Sequence, residues 1–183
     1  MARQRERIRG YTLVELIISV ALLGLLAGAG SRIWVDSFAT MRLVDADNAG
    51  IAQARYALER LAREIREVKY DTAGGVYCVS TPFSATTLAF RKTPSGSSYN
   101  SSCATGDMTV TVWPSSGAVM LGYSTAASAA LANPATLSMR YLQSDATTVA
   151  TGTGDLRFVE LTLTVNPSGP STALRTLVAL RNS

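Results

Sequence analysis

Glu15 is a carboxylate at the mouth of an uncharged run: after it, no Asp, Glu, Lys or Arg occurs until Arg32. Inside hydrocarbon an ionised side chain at a helix centre costs about 2.5 to 3.5 kcal/mol, so it needs a partner. Two chemistries suit it. Thr12-x-x-Glu15 has the spacing of a capping box, in which hydroxyl and carboxylate satisfy free amides at a helix start. A cation brought to the segment would also make the charge tolerable, and the two arrangements are compatible. Catalytic chemistry finds little support elsewhere. The chain has no histidine, so a Ser or Cys nucleophile lacks its commonest base. The acidic residues after Gly75 are Asp107, Asp145, Asp155 and Glu160, widely scattered. Cys78 and Cys103 do not have C-x-x-C spacing, which argues against redox or metal work.

The elements that must position Glu15 follow from charge and period. Arg3, Arg5, Arg7 and Arg9 stand against a single Glu6 ahead of the apolar run, so the leader stays cytoplasmic and the bulk of the chain lies across the membrane. As a helix, Tyr11 to Ser31 extends about 31 Å at ~1.5 Å per residue, which matches a hydrocarbon core of about 30 Å. Gly24 and Gly28 form a small-xxx-small pair that lets another helix approach closely, or they are simply glycines tolerated in a membrane helix. A different reading of the same residues is a secretory signal peptide, cut at the A-x-A sequence Ala27-Gly28-Ala29 to release a soluble domain from Gly30.

No proline interrupts Tyr11 to Thr81, and Ile51, Ala54, Leu58, Leu61, Ile65 and Val68 recur at helical steps. Arg60, Arg63, Glu64, Arg66 and Glu67 mark a charged face, with Glu59/Arg63, Arg60/Glu64 and Arg63/Glu67 as neighbours worth a few tenths of a kcal/mol each. The pattern predicts one helix to about Tyr70, stopped by Asp71-Thr72-Ala73-Gly74-Gly75. Its second half packs on a sheet rather than in a coiled coil, because the repeat lasts under three heptads. Strands are predicted at 76–80, 87–92, 108–113, 118–123, 136–143, 158–165 and 174–180, with Ser, Thr, Gly, Asn and Pro between them. The fold class is therefore α+β: a long N-terminal helix, half transmembrane and half amphipathic, packed on a mainly antiparallel sheet domain. The expected organisation is a leader at 1–10, a membrane helix at 11–32, its amphipathic continuation at 33–70 and a β-rich domain at 71–183. Outside the cytoplasm Cys78 and Cys103 most simply form a disulfide, the alternative being two free thiols. Closing that loop stabilises by roughly 3 to 4 kcal/mol on chain-entropy grounds.

Net charge is +4, but four Arg less one Glu in the leader account for most of it. No basic stripe interleaved with aromatics follows, so nucleic acid is not an expected partner.

Gly10-Tyr11-Thr12-Leu13-Val14-Glu15-Leu16, behind a basic leader and ahead of an apolar run, resembles the type IV prepilin signature, with Tyr11 where Phe is commoner. The resemblance implies that a prepilin peptidase cuts between Gly10 and Tyr11 and that the new amino group of Tyr11 is methylated. It also implies that Glu15 pairs with the terminal ammonium of a neighbouring subunit during assembly. The implied partners are the peptidase, other pilin or pseudopilin subunits, the bacterial inner membrane and an assembly platform. The globular domain is then periplasmic, or at the pilus tip or cell surface after assembly. No cofactor, metal or enzymatic activity is implied. Some pseudopilins bind calcium, yet Asp145 and Asp155 around a Thr- and Gly-rich stretch read better as a polar hairpin loop.

Residues 57–66 and the chain end resemble MSHA-pilus biogenesis proteins of the MshO kind and PilW-type and J-type pseudopilins. Major pilins commonly carry a proline in the anchor helix, and its absence here fits a minor subunit. The expected function is a minor pilin or pseudopilin that initiates or caps a type IV pilus or a type II secretion pseudopilus. A pilus-associated adhesin using the same anchor is the alternative from another class. A secreted domain released near Gly30 is the third.

Overall fold

The computed structural model describes residues 12–94, 96–97, 102–103, 107–165 and 171–181. The leader, Gly10 and Tyr11 lie outside the described residues. One helix, α1 (Leu13–Arg66), precedes nine strands: β1 (Tyr70–Asp71), β2 (Val76–Tyr77), β3 (Leu88–Lys92), β4 (Met108–Ser115), β5 (Ala118–Tyr123), β6 (Ala126–Ala132), β7 (Ala135–Leu142), β8 (Phe158–Val165) and β9 (Thr172–Ala179). The chain divides into two compact units, Met1–Val44 and Asp45–Ser183.

In the first unit the helix is apolar nearly all round from Leu16 to Ser31, carries Arg32, Asp36 and Arg42 beyond it, and exposes its large apolar side chains, from Leu13 at 75% to Val44 at 52%. Ser19, Ser31, Ser37 and Thr40 donate their hydroxyls back to helix carbonyls, Ser19 to Glu15 at 2.7 Å and Ser37 to Ile33 at 2.7 Å. These four hydroxyls are thus satisfied inside the helix, as apolar surroundings require.

In the second unit α1 presents Ala54, Ala57, Leu58, Leu61, Ala62 and Ile65 to one core shared by the larger sheets. These are the positions at i, i+3, i+4 and i+7 that helical periodicity selects, with alanines allowing close approach. Complete burial of a residue such as Leu61 stabilises by about 1.5 to 3 kcal/mol. The helix ends earlier than expected, at Arg66, where the amides of Glu67 and Val68 turn back to the carbonyls of Glu64 and Ile65. Lys69 is already sheet-bound: its amide donates to the Arg91 carbonyl at 3.0 Å, and its carbonyl accepts the Cys78 amide at 2.9 Å. Arg63 and Arg66 in the last turn complement the negative end of the helix dipole. The 71–75 stretch is a hairpin turn between β1 and β2, in which Asp71 Oδ1 accepts the amides of Ala73 and Gly74 and Gly75 supplies the positive φ of 67°.

All strand pairs are antiparallel, but they form three sheets: β1-β2, β3-β4-β5-β6 and β7-β8-β9. The sequence pattern predicts antiparallel strands but does not divide them into separate sheets. The break falls where β6 turns into β7 at Asn133-Pro134, and the first amide of β7, that of Ala135, donates to the Gly117 carbonyl at 2.8 Å rather than to β6. Strand β6 was not expected at all, because Ala-Ala-Ser-Ala-Ala-Leu-Ala carries little strand propensity. Val110, Val112, Val119 and Leu121 from one sheet and Leu137, Met139, Val159, Leu161, Leu163 and Val178 from the other close over the helix.

Two sets of charges pin α1 and its exit to the sheets. Glu64, expected on the solvated face, is 2% exposed. Its Oε1 accepts from Arg60 Nη2 at 2.8 Å and from the Tyr123 hydroxyl at 2.7 Å, and its Oε2 accepts from Lys92 Nζ at 2.5 Å. Lys92 also reaches Glu67 at 2.8 Å, so Glu67 turns to the sheet rather than to Arg63. Beyond the helix, Lys69 Nζ, with no exposed side-chain surface, meets Asp107 Oδ2 at 2.6 Å. On the opposite face of β8, Glu160 is buried beneath Arg140, at 3.7 Å, and Arg175, with which it forms a close ion pair.

Burial pushes the Glu64 carboxyl up, but the hydrogen bonds from Lys92 and Tyr123 and the charges of Lys92 and Arg60 outweigh it, leaving it below the ordinary value of 4.5. A depressed carboxylate contributes stability above its unfolded value and loses it as pH falls through the folded one. Glu64→Gln therefore lowers stability at pH 7 by about 1.5 to 3 kcal/mol, the worth of hydrogen bonds to a charged group. It also removes part of the loss that the parent chain shows below pH 4.5. Thermal melts of the full chain in detergent, followed by near-ultraviolet circular dichroism at pH 7 and pH 3, check both effects.

Candidate assembly segment

Glu15 sits in the first turn of α1, where a negative charge complements the helix dipole. Thr12 Oγ1 accepts the Glu15 amide at 3.3 Å and the Thr12 carbonyl accepts the Leu16 amide at 3.2 Å, so the hydroxyl half of the capping box is in place. Among the described residues no cation meets the Glu15 carboxylate, although its neighbours Leu13, Val14, Leu16, Ile17 and Ile18 are all exposed apolar side chains. The local donors have been spent on the backbone, and the carboxylate retains its acceptor capacity for a group from elsewhere.

Gly24 and Gly28 lie one turn apart on this helix, and a Cβ placed on either would meet nothing within 4 Å. Their helix surface is open. Past Arg32, Trp34 and Phe38 lie side by side with ring centroids 6.1 Å apart, Trp34 being 67% exposed. Aromatic rings beside a basic residue at the end of an apolar run are the arrangement found at membrane–water interfaces. The helix runs on without interruption through Ala27-Gly28-Ala29. It contains a window of mean hydropathy 2.2 that is long enough to cross a membrane, none of it buried.

Cys78 and Cys103 are joined by a disulfide, 25 residues apart in sequence. The bond ties the stretch ahead of β4 to the β2–β3 connection, beside the Lys69–Asp107 pair. Most of 95–102, within the loop that the disulfide closes, lies outside the described residues.

Asp145 and Asp155 each organise their own turn. Asp145 accepts the hydroxyl and amide of Thr148 and of Thr147, and these bonds hold its carboxyl far below the usual range. Asp155 takes the amide of Thr151 at 3.0 Å and that of Gly152 at 2.9 Å, which hold its carboxyl below the ordinary value, and it also accepts from Nε2 of Gln143 at 3.0 Å. Both carboxylates are consumed by the loop between β7 and β8, and among the described residues no cluster of three or more His, Cys, Asp or Glu side chains gathers.

Sequence reasoning missed the burial of Glu64, because its partners Lys92 and Tyr123 are far along the chain and only the i,i+4 spacing to Arg60 was visible. No curated protein and no solved structure matches the chain at a significant level. Residues 5–31 do match a family model, that of the prokaryotic N-terminal methylation motif. That motif marks structural subunits rather than enzymes and implies processing by prepilin peptidase and assembly with other pilins. With the exposed apolar helix it fits a membrane-anchored, single-pass protein and supports a place for this chain in the type IV pilin or pseudopilin family.

Proposed function

We propose that this chain is a minor pilin or pseudopilin, a structural subunit that initiates or caps a type IV pilus of the MSHA kind or a type II secretion pseudopilus. It inserts in the inner membrane with residues 1–10 cytoplasmic and is cut between Gly10 and Tyr11. The new amino group of Tyr11 is methylated. Residues 11–32 hold it in the bilayer, the helix continues to Arg66, and the periplasmic β-rich domain that follows sets partner choice.

The observation that carries this reading is the carboxylate of Glu15, exposed in an apolar helix, with no counter-charge among the described residues. A terminal ammonium on a neighbouring subunit is a group of the required sign, and each charge is costly in lipid until the two meet. The open surface at Gly24 and Gly28 lets a second helix approach closely enough for side chains to interlock.

Glu15→Ala is expected to be processed and to stay in the membrane, while its incorporation into sheared filaments falls at least tenfold, as for the loss of a charge-assisted bond worth about 1.5 to 3 kcal/mol. Quantitative immunoblotting of membrane and filament fractions measures this, and equal incorporation would remove the pairing from the account. Gly10→Val is expected to leave the leader attached, because a branched side chain crowds the peptidase at the cut. A retained mass of about 1 kDa on gels or by mass spectrometry reports it, at ~110 Da per residue for the leader, and efficient trimming of that variant would move the cut elsewhere.

A further inference from the structure

The outward face of the β3–β6 sheet carries a feature on which the pairing of Glu15 does not depend. Trp113 on β4 lies across the sheet so that a Cβ on Gly122 of β5 would sit 2.8 Å from its Cη2 and 2.9 Å from its Cζ3. Only glycine leaves room for the ring. The pairing places Trp113 opposite Met120 and Thr111 opposite Gly122, so the indole reaches diagonally over its neighbour's backbone. That contact accounts for one side of the ring. Trp113 is half-buried and lines a groove of about 300 Å³ with Thr109, Thr111, Gly122, Ser124 and Ser128.

The chemistry of this groove is uniform. No Asp, Glu, Lys or Arg lines it. Among the described residues the hydroxyls of Thr109, Thr111 and Ser128 have no protein partner, while Ser124 Oγ accepts the Thr109 amide at 3.1 Å and retains its proton to donate. Tyr123, paired with the core residue Val110, instead turns to the helix side of the sheet, where its hydroxyl meets Glu64 and Arg60 and Lys92 Nζ lies 5.5 Å from its ring centre, so the aromatic surface of the groove is the indole of Trp113. On the β6 side the wall is low, since Ala126 and Ser128 are small and Ala126 to Ala130 are exposed. A ligand can therefore extend past the groove without meeting a bulky side chain.

An aromatic surface rimmed by free hydroxyls, without charge, matches a molecule having one apolar face and a perimeter of neutral hydroxyls. We propose that this face binds the pyranose rings of a neutral oligosaccharide, with a ring against Trp113 and its hydroxyls bonded to Thr109, Thr111, Ser124 and Ser128. The absence of cations in the lining disfavours sulfated or carboxylated sugars, which would be desolvated without a counter-charge. The inference does not rest on the assembly role and would stand for any protein displaying this sheet.

The test uses the full chain in dodecylphosphocholine micelles, which carry no sugar headgroup, with Trp34→Phe so that Trp113 is the reporting indole. Maltotriose, cellotriose, chitotriose and a trigalacturonate are titrated against its fluorescence. At least one neutral trisaccharide is expected to give a saturable change, with the charged one at least tenfold weaker. Thr111→Val combined with Ser128→Ala, which leaves the indole and Gly122 untouched, is expected to weaken binding at least fivefold. Calorimetry of Trp113→Ala is expected to show no heat of binding. No saturable response to any neutral trisaccharide overturns the proposal, as does equal binding of the charged sugar or an unaffected double variant. A response to a hydrophobic dye or an extended peptide with none to the sugars would instead make the face a protein-docking surface.

Discussion

Water is a poor solvent for the stretch from Leu13 to Val44, whose Leu, Ile, Val, Trp and Phe side chains are exposed around the helix. At about 25 cal/mol for each Å² of apolar surface, such a segment is driven into lipid or against other helices. Either environment then imposes its own demand on Glu15. The backbone is satisfied by the helix, and the serine and threonine hydroxyls are satisfied by helix carbonyls. Between Leu13 and Ser31, what remains is the Glu15 carboxylate, which the apolar surroundings cannot solvate. This residual charge gives the helix a preference among otherwise equivalent apolar neighbours, since a partner that supplies a cation at the right depth is favoured over lipid and over a misregistered helix. In the proposed assembly, hydrophobic burial would supply the association and the charge the register.

The same helix meets a different problem after Asp45. There it is one wall of a protein core, and its alanines and leucines face two antiparallel sheets. Apolar packing alone does not fix how a helix is rotated or shifted along a sheet, because neighbouring apolar positions are nearly interchangeable. The charged contacts are less forgiving. Glu64 must find Lys92 on β3 and Tyr123 on β5 together, and Lys69 must find Asp107 just as the chain leaves the helix. A buried ion left without its partner costs about 3 to 5 kcal/mol, so a helix out of register is penalised several times over. The disulfide adds a covalent constraint near the second of these pairs.

Much of this was legible in the residue pattern. Strands 118–123 and 158–165 occur at their expected limits, since both combine β-branched or aromatic residues with clear turn signals. The buried helix face follows from its spacing, and the disulfide from cysteine count and compartment. The errors have specific causes. Strand β6 is built from alanines that prefer helix, and it forms because β5 offers it a ladder. The helix stops at Arg66 rather than near Tyr70 because the backbone of Lys69 is taken by Arg91 and Cys78, residues that no local pattern connects to it. Glu64 looked like a surface charge for the same reason. Trp113 and Gly122 are meaningful only as a diagonal pair, which requires the register of β4 on β5. Local period was readable; pairings between distant residues were not.

The central claim is that the Glu15 segment is the exposed start of a processed assembly subunit, and the mass of the mature N-terminus tests it most directly. Protein extracted from the membranes of its own host, measured intact and by N-terminal peptide, is predicted to begin at a methylated Tyr11, four residues before Glu15. A chain that begins near Gly30, with the apolar run removed, would contradict the account and make the carboxylate incidental to whatever the released domain does.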